Sequence, residues 1–454
     1  MSTLRPCDTS PPHRAALPRP SRRPPSHRRD GRGFTLVELI MAMAAGLTVA
    51  TAAMLLARNT SRFFQYEARF SSAHISAMLG MQRLTADIQR AAFLSTPNIR
   101  EDPMTCRSSS TWPPGLQQLA GIRIIPNGSY NEHTADLAQS AANGLQPDSL
   151  IIGGAFGTNE QFDVQTITGN GTNVQLQLVS GAMKRTEMRA STGSASLPSI
   201  FAPGRILRIV TDGQPPYVYG VIAGYDAATR SVLLGSTPAL PFKDVGPCGI
   251  SSSGTNSGFI VSPVARVLYD IRSLRSHPTY GLLVEPPQNS EQMTGDLLRT
   301  ELIRVELDAN DEEIPSTLEV VSEYAVDLKF GISTAAIVTA TGVNPEVQRF
   351  PIQTPALANI GTVAGDITSG GTPQRIRSVQ VRLSTRTRAP DRDSERSYTA
   401  GAETRHLRFL IPGVVPSVAA LGDTVPAGAP AVYARMRTLQ AEVALPNNER
   451  AQQW

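Results

Sequence analysis

The sequence predicts an α+β protein, with one long N-terminal α-helix packed on a C-terminal antiparallel β-rich domain. Three observations carry this expectation. Phe34 to Ala57 is an apolar run of 24 residues with a single charge, Glu38. From Ser61 to Ala92 there is no proline, and Phe70, Ala73, Ala77, Met81, Leu84, Ile88 and Ala91 recur in steps of three and four, one continuous helical stripe. Beyond Pro97 the chain becomes rich in Gly, Ser, Thr and Pro, with short β-like runs between turn clusters.

The first element is a basic tract. Residues 1–33 hold eight arginines against two aspartates, a charge of +6 within a whole-chain charge of +4, so the remainder carries −2. Without that tract, a pI of about 9.1 no longer points to a nucleic-acid partner. Its Pro, Ser and His content without apolar periodicity reads as non-core. Arg22-Arg23 is followed directly by Pro24-Pro25, which argues against a twin-arginine signal.

The apolar run, residues 34–57, spans roughly 36 Å as a helix, enough to cross a hydrocarbon core of about 30 Å. The basic tract before it places the N-terminus in the cytoplasm and the chain after Arg58 outside. A glutamate inside such a span costs a few kcal/mol, so Glu38 is a functional candidate that needs a partner. Residues 58–96 form the amphipathic half of the same helix, expected over 35–92. Its other face carries Arg69, Gln82, Arg83, Gln89 and Arg90, and Thr96-Pro97-Asn98 supplies the stop signal.

Residues 97–454 form the β-rich domain. Strand-like runs occur at 119–125, 149–156, 162–168, 173–179, 205–211, 217–224, 258–271, 280–285, 301–307, 317–330, 376–385 and 406–411. Residues 184–200, 241–257, 286–299, 331–374 and 389–405 read as long loops or insertions. The alternating oxygens of Asp308-Ala309-Asn310-Asp311-Glu312-Glu313 mimic a calcium loop, but Glu313 stands where that loop needs glycine. A hairpin turn is the expectation there.

Catalytic constellations are missing from the sequence. Residues 153–158 (GGAFGT) have no P-loop lysine, Ser251-Ser252-Ser253-Gly254 lacks the nucleophile-elbow frame, and the six histidines are scattered. The expectation is a non-enzymatic protein without cofactor or metal. Of three cysteines, Cys7 lies in the basic tract. Cys106 and Cys248 then form an even pair that suits one disulfide in an exported domain, the alternative being two unrelated thiols.

Gly33-Phe34-Thr35-Leu36-Val37-Glu38, with a basic leader before it and an apolar helix after it, resembles the type IV prepilin processing motif. The resemblance implies that a membrane prepilin peptidase cuts after Gly33 and N-methylates Phe34. It also implies that Glu38 neutralises the terminal ammonium of a neighbouring subunit in an assembled helix bundle, which agrees with the mutual desolvation of opposite charges. Many members carry a helix-kinking proline where this chain has Leu55.

Residues 84–93 (LTADIQRAAF), Cys106, residues 320–332 (VVSEYAVDLKFGI), the run IRSVQVRLSTRTR from Ile376 and the run RMRTLQAEVALPN from Arg435 together resemble the PilW-type minor pilins. They are also similar to the J-type minor pseudopilin of type II secretion. The resemblance implies a pilin-like fold and a structural subunit for pilus assembly, priming or the pilus tip. The protein would be held in the bacterial inner membrane with its β domain in the periplasm. Its partners would be prepilin peptidase and other minor and major pilins, met through the N-terminal helix. A pseudopilus subunit and an adhesive or ligand-binding tip pilin are the alternatives.

Overall fold

The computed structural model describes residues 35–106, 112–128, 130, 133–169, 175–193, 195–211, 214–241, 248–250, 254–283, 299–335, 347–352, 358–388, 408–411 and 432–448. The chain divides into two units, Met1–Phe64 and Gln65–Trp454. One helix, α1 (Leu36–Gln89), contributes to both. The described part of the first unit is helix whose side chains are all exposed.

In the second unit, α1 meets two β-sheets along the stripe the sequence marks out. Ala77, Leu84, Ile88 and Ala91 are fully buried, and Ala73 and Met81 nearly so. Gln82, Arg83 and Gln89 stay in solvent. The helix can approach closely because of Gly80, where a Cβ would come within 2.8 Å of the Ser322 Cβ and 3.1 Å of a Leu383 methyl.

α1 ends at Gln89, several residues before the Thr96-Pro97 stop signal. Ala92 and Leu94 adopt positive φ, 59° and 51°, and the Ala92 N–H donates to the Gly153 carbonyl at 2.8 Å instead of to the helix. A long-range backbone bond therefore terminates the helix ahead of the local signal. Asn447 Nδ2 covers the exposed helix end by donating to the Ala91 carbonyl at 2.9 Å.

The short helix α2 (Pro114–Gln117) and β1 (Ile122–Ile125) lead through α3 (Ala138–Ala142) to β2 (Ser149–Gly154). Then come β3 (Phe162–Thr168), β4 (Gln175–Leu178), α4 (Ser180–Ala190) and α5 (Leu197–Ile200). β5 (Ile206–Thr211), β6 (Gln214–Asp226), β7 (Ser231–Leu234) and β8 (Gly254–Arg272) follow. The 19-residue β8 serves two structures. In its first half Val261 pairs with Phe162 of β3 on one side and with Ile209 of β5 on the other. With β3–β4, β4–β7, β7–β6 and β6–β5 also paired, all antiparallel, six strands close on themselves into a barrel. Phe162, Leu176, Leu207, Ile209, Val232, Phe259 and Val261 pack with α4 and α5 residues in one apolar cluster.

The second half of β8 pairs with β2 and with β9 (Glu301–Leu307), which pairs with β10 (Glu313–Ser322). The order of this sheet is β1-β2-β8-β9-β10. β11 (Ala325–Ala335), β12 (Val347–Phe350), α6 (Ala358–Ala364), β13 (Ile376–Arg386), β14 (Arg408–Ile411) and β15 (Val432–Ala444) complete the described chain. The five strands form a second sheet in the order β12-β11-β13-β15-β14. The principal core joins Leu84, Ile88 and Ala91 of the helix segment to Ile122, Val267 and Leu302 of the first sheet and to Leu328, Val381 and Val443 of the second.

The α+β class therefore holds, with several local corrections. Residues 317–330 are not one strand: β10 ends at Ser322, Tyr324 turns with φ 54°, and β11 enters the other sheet. Gly281–Leu283 is a 3-10 turn where a strand over 280–285 is expected, and residues 284–285 lie outside the described ones. The supposed loop 184–200 contains most of α4 and all of α5. The supposed loop 331–374 holds the end of β11, β12 and α6. Residues 389–405 and 286–298 lie outside the described residues. At 308–313 the hairpin turn is present: Asp308 Oδ1 accepts from the amides of Asn310 and Glu312 at 2.8 and 2.9 Å.

Candidate functional site

The start of α1 is shaped by a reciprocal cap. Thr35 donates from its amide and from Oγ1 to Glu38 Oε2, both at 3.0 Å, and the Glu38 amide returns a bond to Thr35 Oγ1 at 3.2 Å. This is the capping box that a Thr-x-x-Glu sequence favours, satisfying donors that the first helical turn leaves open. Within a single chain Glu38 thus has a local role. Gly33 and Phe34 lie outside the described residues.

After the cap, the helix is apolar on every side, and its side chains are exposed throughout the described residues of this unit. Leu36 is 74% exposed and Met54 76%, and Leu47, Val49 and Leu56 are similar. Such a surface belongs in lipid or against other helices, because water would pay the full hydrophobic cost on all faces. The threonines within it hide their hydroxyls: Thr48 donates to the Ala45 carbonyl at 2.8 Å and Thr51 to the Leu47 carbonyl at 2.7 Å. By length and composition α1 is able to cross a membrane.

The family model for the prokaryotic N-terminal methylation motif matches residues 28–54. The chain has a prepilin-type N-terminus. The matched residues include Gly33, Phe34, the capping pair and most of the exposed apolar run, so the similarity to prepilin-type proteins lies in this N-terminal segment, whose helix is long and apolar enough to cross a membrane. No curated protein and no solved structure matches the chain significantly.

In the second unit α1 is tied to the sheets by a charged contact inside its buried stripe. Asp87, 3% exposed, accepts from Arg304 Nε of β9 at 2.8 Å and from the Tyr269 hydroxyl of β8 at 2.7 Å, both through Oδ2. Burial and the neighbouring Asp87 carboxylate push the Tyr269 hydroxyl well above its ordinary value, so it stays a donor. Burial works against the Arg304 charge, but Asp87 and Tyr269 outweigh it and the guanidinium is held protonated. The sequence contained a signal: Asp87 interrupts the apolar positions between Leu84 and Ile88. Its partners, some 180 and 220 residues away, were not legible.

A second buried pair braces the strands beneath. Lys329 Nζ of β11 lies 2.7 Å from Asp148 Oδ1, with both side chains fully buried. Burial raises the Asp148 carboxyl, and Lys329 opposes that rise. Further along, Cys106 and Cys248 are joined as a disulfide, their Cα atoms 5.6 Å apart. Around it the Cys106 amide donates to the Tyr217 carbonyl at 2.7 Å and the Tyr217 amide to the Met104 carbonyl at 2.6 Å, lacing residues 104–106 to β6. Among the described residues no group of His, Cys, Asp and Glu is arranged to hold a metal ion.

Proposed function

We propose that this protein is a minor type IV pilin of the PilW type, a structural subunit of pilus assembly, priming or the pilus tip. The observation that carries this reading is a methylation motif whose helix is capped through Thr35 and Glu38 and then apolar on every face. In this reading prepilin peptidase removes residues 1–33 and methylates Phe34. The 34–57 segment holds the protein in the inner membrane, with the β domain in the periplasm, until other pilins take it up through the same helix.

Glu38 then serves two states. Alone, its carboxylate closes the Thr35 cap. In an assembly it neutralises the buried ammonium of a neighbouring Phe34, since two opposite charges in low dielectric offset each other's desolvation. The J-type minor pseudopilin is the second reading. The size of the β domain, with a barrel in addition to two sheets, favours a terminal subunit over a repeating one. In cells with active peptidase, mass spectrometry of membrane-extracted protein should find a chain beginning at N-methylated Phe34, and a bulky residue in place of Gly33 should leave it unprocessed. A persistent basic tract in the wild-type protein would refute the reading. Co-purification with retraction-competent pilins as against a secretion apparatus separates the two subtypes.

A further inference from the structure

Arg90, one residue past α1, is a half-buried cation short of counter-charge. Its Nη2 donates to the Ala155 carbonyl and to Asn159 Oδ1, the latter at 2.8 Å, and its guanidinium lies over the Phe156 ring, 5.6 Å from the centroid. All three partners are neutral. No carboxylate lies within ion-pair distance of Arg90 among the described residues, and Asp87 is already engaged by Arg304 and Tyr269. Burial lowers the pKa of Arg90; Asp87 opposes this, and Arg304 and Arg83 add to it by repulsion.

Arg90 faces a cleft of about 190 Å³ between the β2–β3 connection and α4, lined also by Phe156, Thr158, Asn159, Arg189 and Ile200. Arg189 stands at its rim, 57% exposed, and shares one carboxylate, Glu160, with Arg185. Arg185 and Arg189 thus share a single acid, so the Arg189 charge at the rim is only partly offset. The walls combine an aromatic ring and an isoleucine with hydroxyl and amide groups, which suits a short aliphatic stem ending in an anion. A planar carboxylate matches the guanidinium fork.

We propose that this cleft binds a carboxylate on a short aliphatic stem, with Arg90 as its inner pole and Arg189 as its rim contact. The group is either a free small carboxylate or an acidic side chain presented by another polypeptide. The test uses the full chain in detergent and follows phenylglyoxal modification of Arg90 by peptide mass spectrometry, with Arg83 as internal reference. Butyrate should slow modification of Arg90 saturably and leave Arg83 unaffected, while the neutral isostere butyramide should not protect. Arg189→Gln should raise the half-protecting butyrate concentration by about fivefold, the worth of one exposed charge contact of about 1 kcal/mol. Protection by acetyl-glutamate amide at lower concentration than butyrate assigns the ligand to a polypeptide side chain, and the reverse order assigns it to a free carboxylate. Equal Arg90 reactivity with and without both acids, or equal protection by butyramide, overturns the proposal.

Discussion

Replacing Asp87 by alanine tests how the helix is held to the sheets. Arg304 is 8% exposed and Asp87 4% by side chain, so the substitution leaves a guanidinium buried without its main partner. Breaking such a pair costs about 3–5 kcal/mol. Glu319, 4.0 Å from Arg304 Nη1 and half exposed, compensates in part, which places the expectation at the lower end, about 3 kcal/mol. Because the chain contains a barrel and two sheets, a global unfolding curve would mix several transitions. Hydrogen exchange of peptides covering 80–91 reads the local opening instead, and about 3 kcal/mol accelerates it roughly 100-fold.

The double variant Asp87→Leu/Arg304→Met removes both charges and keeps volume, so it should restore protection to within about 1 kcal/mol of wild type. Asp87→Asn, which can still accept from Tyr269, should fall between. A less than threefold change in Asp87→Ala would refute the reasoning. So would a double variant as labile as the single one. In either case apolar burial of Ala77, Leu84, Ile88 and Ala91 would suffice to hold the segment.

Glu38→Gln should keep the Thr35 cap and still abolish incorporation with partner pilins, whereas Glu38→Ala should lose both, the cap being worth about 1 kcal/mol; normal co-purification of the Gln variant would exclude a charge-pairing role. For the disulfide, Cys106 and Cys248 lie 142 residues apart, and their closure contributes roughly 3–5 kcal/mol in the chain-entropy model. Thiol alkylation of exported protein should therefore label neither cysteine without reductant, and labelling of both would remove the clamp. Asp270 is pushed up to about 7 by burial, opposed by Arg272, so the folded state keeps its proton between about pH 4 and 7 while the unfolded chain has lost it. Stability should consequently fall as pH rises through that window, by up to roughly 4 kcal/mol, and Asp270→Asn should flatten the pH dependence, between 4 and 8, of hydrogen-exchange protection in peptides covering the second half of β8, after division by the intrinsic exchange rate; an unchanged slope would show that Asp270 ionises freely.

Local patterns were legible where neighbours along the chain decide the outcome. The apolar run from Phe34, the 3.6-residue stripe from Ala73 to Ala91 and most strand runs depend on side chains a few residues apart. The turn at Asp308 was also legible, since an Asx side chain bonding nearby amides is local chemistry. Strand 317–330 misled because Glu323-Tyr324 has no glycine or proline to mark a turn, and Tyr324 holds a positive φ that the sequence does not announce. β15 escaped as a strand because it alternates arginine, glutamate and glutamine with apolar residues, although its edge-to-edge pairing with β13 runs from Ser378↔Ala444 to Arg386↔Met436.

By itself the sequence determined the N-terminal methylation motif, the capped apolar helix and the face by which its second half is buried, because each rests on neighbouring residues, short-range periodicity and the cost of exposing apolar surface. Only the tertiary structure decided that six strands close into a barrel through one shared strand, that Asp87 meets Arg304 and Tyr269, and that the helix ends on the Gly153 carbonyl. Those outcomes depend on contacts between residues about 50 to more than 200 positions apart, where the loss of chain entropy is offset only by the assembled core, and no local window of sequence contains both partners.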